Sequence, residues 1–160
     1  MSSQPWFVPY RAERLAALLW DEAGAHVLAL GADARGYGLL IEVECEQGVR
    51  VRVGVEVKGT QSISSWMAHH RSAELPRGRV AQHLTAEHRL PLVLMVVDVL
   101  SWEARFAWLL PPEIAAAGRE LADAGPPTEF APATPQALSE EVKRISRSCG
   151  RNPAVDSRSQ

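Results

Sequence analysis

Glu56 and Lys58 close a run of strict alternation, Val51-Arg52-Val53-Gly54-Val55-Glu56-Val57-Lys58. Residues two apart on a β-strand project to the same side, so the carboxylate and the ammonium share one face while the four valines fill the other. A carboxylate is a ligand for a hard divalent cation, and a neighbouring lysine can orient a water nucleophile or offset charge on a phosphate. The same residues also describe an amphipathic strand with a charged outer face, and alternation alone does not separate the two descriptions.

A metal-dependent hydrolase needs at least two carboxylates on its cation, because one monodentate ligand leaves a hard ion almost wholly hydrated. The hairpin register decides which acids can join Glu56. A three-residue loop, Gln47-Gly48-Val49, predicts Glu44 opposite Arg52, Glu42 opposite Gly54, Leu40 opposite Glu56 and Gly38 opposite Lys58. The ideal place for a second acid is then held by Gly38. Three acids compete for the vacancy. Asp33 precedes Gly38 by roughly 16 Å of extended chain, a gap that a folded glycine-rich loop would shorten. Glu42 is diagonal to Glu56 on the same face, although cross-strand pairing with Arg52, alongside Glu44, is the more natural use of it. Glu13 projects from a helix on the side of Ala16, Ala17 and Trp20, and either packs toward the sheet or faces water.

Positive charge is local. The chain has 160 residues, a formal net charge of -2 and a pI near 6.2, so contact with nucleic acid requires a patch instead of a basic coat. Lys58, Arg71, Arg77, Arg79 and Arg89 face only Glu74 and Glu87 over residues 58–89, with His69, His70, His83 and His88 added. Arg71, Arg77 and Arg79 are the candidate nucleic-acid contacts; a solvated pair of helices would carry the same charges. Other chemistries find less support. Ser62, Ser64 and Ser65 precede His69 and His70 without a nucleophile elbow, and adjacent histidines on a helix cannot share one metal face. Cys45 and Cys149 have no paired spacing, which predicts two free thiols in a reducing, cytoplasmic setting. The longest apolar run, residues 91–97, is too short to span a bilayer, so no membrane role is expected.

The elements that must position these residues follow from periodicity and punctuation. A helix is predicted after Pro9 to about Glu22, with Leu15, Leu18 and Leu19 as its stripe and Gly24 ending it. A strand over 26–30 leads into the glycine-rich segment 31–38, and 39–46 pairs with 51–58 as a hairpin. Residues 61–90, broken by Pro76 and Gly78, read as two helical pieces before a buried strand over 92–97. Residues 98–104 turn that strand into 105–110, which Pro111-Pro112 stops. A short helix over 114–124, a proline-rich linker over 125–133 and a helix capped by Thr134 with Pro135 at its first position complete the order. The sum is an α/β chain with a mixed sheet, one domain over 1–150 and a disordered tail over 151–160.

The order of helix, strand, acid-bearing loop, Glu-x-Lys strand and helix resembles the PD-(D/E)XK, or restriction-endonuclease-like, nuclease superfamily. It is similar in particular to a group of prokaryotic domains in which a helical glutamate precedes Asp-x-Gly-x-Asp and a strand ends in Gln-x-Lys or Glu-x-Lys before a small residue. The matching pieces are Glu13, Asp33-Ala34-Arg35-Gly36-Tyr37-Gly38 and Glu56-Val57-Lys58-Gly59-Thr60. Downstream stand Trp66, the proline-led strand Pro91 to Asp98, and Phe106-Ala107-Trp108-Leu109. The match covers residues 11–110, and its motifs gain specificity from their order. It implies a restriction-endonuclease-like core with a β-hairpin meander flanked by helices. It also implies a Mg²⁺- or Mn²⁺-dependent hydrolase acting on nucleic acid, DNA in the first instance, in prokaryotic defence or DNA processing. Asp33, Glu56 and Lys58 would be catalytic, and Asp33, Glu56 and Glu13 would hold the metal. The family's second acid falls on Gly38, which leaves open a catalytically inactive relative that binds nucleic acid or a protein partner. A purely structural or toxin-neutralising partner, with Trp6, Phe7 and Trp66 contributing an exposed apolar surface, is the third expectation, and a protein partner or homodimer is the accompanying one.

Overall fold

The computed structural model describes residues 4–30, 38–70, 90–118 and 129–149. Asp33, Arg71, Arg77, Arg79, the second helical piece before Leu90, the end of the 114–124 helix and the 151–160 tail lie outside them.

Helix α1 (Phe7–Glu22) precedes β1 (His26–Leu30), β2 (Leu39–Glu44) and the long strand β3 (Arg50–Thr60). Helix α2 (Ile63–His69) lies in the connection to β4 (Leu92–Asp98), and β5 (Ala104–Leu110), the short helix α3 (Pro112–Ala116), β6 (Ala131–Pro132) and helix α4 (Pro135–Ser148) follow. The strands form one six-stranded sheet in chain order. Among the described residues, only the β3–β4 pair is parallel. A parallel neighbour cannot be reached by a tight turn, so the chain needs the long crossover that contains α2. The chain is thus a mixed α/β structure with an open mixed sheet.

Alternation divides the sheet into two faces. Val53, Val55, Val93, Met95, Val97, Phe106 and Trp108 pack with α1 and α4 in the larger core. Leu92, Leu94, Ala107 and Leu109 lie on the other face under Trp66, Ile114 and Phe130. The buried stripe of α1 is Val8, Ala12, Ala16 and Trp20, each fully enclosed, whereas Leu18 is half exposed. The predicted leucine stripe is therefore displaced by small residues. Gly59 gives the reason, since a Cβ there would lie 2.8 Å from the Val8 carbonyl oxygen and 2.9 Å from the Ala12 Cβ. Helix and strand backbones approach more closely than leucines would permit. The helix also begins before Pro9, which sits in the first turn, where its missing N–H removes no intrahelical bond. Gly24, at φ +100°, ends α1 as expected.

Three other expectations are corrected. The β2–β3 connection spans Cys45 to Val49 and contains a 3₁₀ turn at Glu46–Gly48, closed by Cys45 N–H donating to Val49 O at 2.7 Å. This moves the register by two residues: Glu44 faces Arg50, Glu42 faces Arg52 and Leu40 faces Gly54. Because the shift is even, the side chains paired in this ladder keep their predicted faces, whereas Gly38, just beyond it, does not share the Lys58 face as expected: a Cβ there would lie 3.3 Å from Val57 Cβ. Cys45 and Cys149 are not free thiols but a disulfide, with Cα atoms 6.3 Å apart. It joins the end of β2 to the C-terminal cap of α4, two elements that packing brings together across 104 residues of sequence. Finally, Ala131–Pro132 inside the predicted linker adds a short sixth strand to β5 at the sheet edge, where proline is tolerated.

Helix α4 is capped as predicted, with Thr134 Oγ1 accepting from Ala137 N–H at 3.1 Å. Its polar side is tied to the sheet through Glu141, which accepts from Trp108 Nε1 at 2.9 Å and from Arg144 at 3.3 Å. Arg144 in turn forks onto Glu113 of α3 at 2.6 and 2.9 Å.

Candidate active site

Strand β3 carries the site because its eleven residues outrun β2: the β2–β3 ladder begins at Leu39–Val55, while β4 stays paired through Thr60–Asp98. Glu56 and Lys58 occupy the part of β3 beyond the end of this ladder, beside Leu94 and Val96 of β4. Lys58 Nζ donates to Glu56 Oε1 at 2.6 Å, as two residues on one face of a strand can. The side chains are 13% exposed for Glu56 and 38% for Lys58, so the pair is neither sealed in the core nor spread on open surface. Partial burial weakens screening and lets the two charges act on one another and on a third group.

The neighbouring acids are differently employed. Glu42 is buried and bridged by Arg50 at 3.3 Å and Arg52 at 3.7 Å, the cross-strand pairing foreseen as one of its uses. Glu13 lies near Gly38: its Oε1 is 3.4 Å from the point at which a side chain at position 38 would begin, with Val57 Cβ 3.3 Å from that point. Val57 packs with α1, so Glu13 and position 38 belong to one side of β3 and the Glu56–Lys58 pair to the other. Among the described residues, no three His, Cys, Asp or Glu side chains gather as a metal-binding group. Asp33, the acid expected beside Glu56, lies outside the described residues.

Asp98, at the end of β4, is the acid whose role sequence reasoning missed. Its Oδ2 accepts from Ile63 N–H at 3.0 Å, and its Oδ1 from Leu100 and Ser101 N–H at 2.9 and 3.0 Å. Burial alone would raise its pKa, but the backbone donors of Ser101, Leu100 and Ile63 outweigh it and hold the carboxyl below its usual range. One carboxylate thereby fixes the first residue of α2 and the β4–β5 turn, both at the Lys58 end of β3. The aspartate ending a buried strand was visible in the sequence; its three donors come from segments brought together only by the fold.

On the same face, Trp66 and His70 of the α2 region stack at 4.0 Å, and Trp66 meets Phe130 edge-on at 5.5 Å. His69 and His70 each direct Nδ1 to a carbonyl one turn back, Ser65 O and Trp66 O. Of the expected surface residues, Trp6 is exposed, while Phe7 and Trp66 are partly buried against the two cores. A separate cleft between α3 and α4 is lined by Glu113, Glu141, Arg144 and Arg147, the first three of which already pair with one another. Among the described residues, no helix is long and apolar enough to cross a membrane. No family model, no curated protein and no solved structure matches the chain.

Proposed function

We propose that this chain is a divalent-cation-dependent nuclease of the restriction-endonuclease-like kind, acting on phosphodiesters of nucleic acid, with DNA as the first substrate to test. The observation that carries the reading is the half-buried Glu56–Lys58 pair on one face of β3, alongside its parallel neighbour β4. Support comes from the element order on which the resemblance rests, helix, strand, second strand, Glu-x-Lys strand and helix, which α1, β1, β2, β3 and α2 follow.

In this reading Glu56 and Asp33 hold Mg²⁺ or Mn²⁺, which when bound supplies Lewis-acid stabilisation of charge on the phosphate. Lys58 holds and orients the attacking water, and its ammonium offsets negative charge developing beside it. Arg71, Arg77 and Arg79 follow the phosphate backbone. Glu13 stands on the Val57 side of β3 and contributes less than Glu56. Cleavage of labelled DNA in Mg²⁺ or Mn²⁺ tests the reading. Lys58→Ala is expected to slow cleavage by about 10²–10⁴-fold, and undiminished cleavage would refute the assignment.

Gly38 favours a second reading, a nuclease-fold protein that binds nucleic acid or a protein partner without cutting. An acid at position 38 would begin 3.4 Å from Glu13 Oε1 and create a carboxylate pair there. Gly38→Asp separates the readings: cleavage that appears only in this variant makes the natural chain the inactive form, and cleavage by the natural chain excludes that.

A further inference from the structure

We propose that the tip of the β4–β5 hairpin is a stacking contact for an unpaired base of single-stranded nucleic acid, with Trp102 as the receiving ring. Among the described residues, four have positive φ. Three are glycines, and the fourth is Trp102 at φ +66°. The left-handed conformation is natural to glycine and strained for a bulky L-residue.

The turn itself demands that conformation. Trp102 N–H donates to Asp98 O at 2.9 Å, Asp98 N–H donates to Glu103 O at 2.8 Å, and the Asp98 carboxylate holds Leu100 and Ser101. Glycine would satisfy the backbone at lower cost. Packing does not explain the indole either, since Trp102 is 61% exposed and Leu100 is 62% exposed. A residue unfavourable for both backbone and solvent is placed for something outside the fold.

Its position suggests what that is. Val99 N–H donates to Thr60 O, so the tip stands just past the end of β3 and close in sequence register to Lys58. Lys58 lies beside Val96, and Val96 beside Arg105, which places two cations in a row across one sheet face. Each keeps an acidic neighbour, Glu56 for Lys58 and Glu103 for Arg105, and each remains more than a third exposed or close to it. Trp6, 85% exposed, belongs to the same end, because nearby Gln4 Nε2 donates to Gly59 O at 2.6 Å. Cations that track a backbone beside an exposed ring that receives bases are the pairing by which single strands are held.

The choice of nucleic acid as ligand rests on the proposed function, but the experiment reads binding without cleavage. A labelled oligothymidine is titrated in EDTA against the natural chain, Trp102→Gly and Trp102→Phe, alongside melting temperatures and sedimentation with phosphatidylcholine/phosphatidylglycerol vesicles. The expected result is binding by the natural chain, a loss of roughly 5- to 100-fold in Trp102→Gly, recovery in Trp102→Phe, and a melting temperature in the glycine variant no lower than that of the natural chain. Three results would overturn the proposal: equal binding by Trp102→Gly, a lowered melting temperature that assigns the indole to the fold, or Trp102-dependent binding to vesicles in place of the oligonucleotide. Normal cleavage by Lys58→Ala would remove the catalytic assignment while leaving this result standing.

Discussion

The Asp98 carboxylate organises the site without facing a ligand, because three backbone N–H groups converge on its two oxygens. Asp98→Ala strands those donors and is expected to cost on the order of 2–4 kcal/mol, measured by urea denaturation. The depressed pKa fixes the sign of the pH dependence. The unfolded chain binds this proton more readily, so the stabilisation is fully present above the ordinary aspartate value of about 4 and is lost as the pH falls through the lower folded value. A pH titration of stability should therefore show an acid-side loss that Asp98→Asn reduces. At the pair itself, Glu56→Gln is expected to lower metal-dependent cleavage by about 100-fold or more and Glu13→Gln by about tenfold or less, because Glu13 lies across β3 with Val57. Equal losses in parallel rate measurements would place both acids in one ligand set. The i, i+2 relation of Glu56 and Lys58 was legible from alternation alone; the relation of Glu13 to Gly38 was not, since it depends on where α1 crosses β3.

Helix α1 reaches β3 through Gly59, and the close approach sets the Lys58 end of the strand. Gly59→Ala forces a methyl group against the Val8 carbonyl and the Ala12 Cβ, and should destabilise by about 1–3 kcal/mol while lowering cleavage. Thermal melts of this variant check the packing; a neutral effect would mean that the helix can withdraw freely. The Cys45–Cys149 disulfide fastens α4 to the β2–β3 turn and closes a loop of 104 residues. Loop closure of that size contributes about 2–5 kcal/mol, so a dithiol reductant should lower the melting temperature by roughly 10 °C. Cys45→Ser should melt equally low with or without reductant. The caps of α4 and the faces of β3 were readable because their signals lie within a few residues, as with Thr134 and Pro135. The disulfide was not, because no spacing marks a bond between distant cysteines, and the register missed by two residues because the 3₁₀ turn lengthens the connection to Cys45–Val49.

At the scale of the molecule, two cores of unequal size leave the sheet's faces with different duties. The α1–α4 face supplies the larger apolar core, whereas the α2 face combines a smaller core with Glu56, Lys58 and Arg105. That division follows from β3 and β4: the valines of β3 alternate with polar residues, while β4 is buried on both sides, as expected of a central strand with a parallel neighbour. The mixed α/β class and the order of elements along the chain could therefore be read from the sequence, but the parallel pairing of β3 with β4 and the edge strand β6 could not, the latter hidden in two residues of a proline-rich stretch. The nuclease reading requires that Glu56 seat a cation, which a crystal of the full chain grown with Mn²⁺ and examined by anomalous diffraction would reveal. The predicted result is a manganese peak about 2.0–2.2 Å from a Glu56 oxygen, shared with Asp33 and lost in Glu56→Gln. A saturated crystal with no peak at Glu56, or with manganese bound elsewhere and Glu56 still paired only to Lys58, would contradict it.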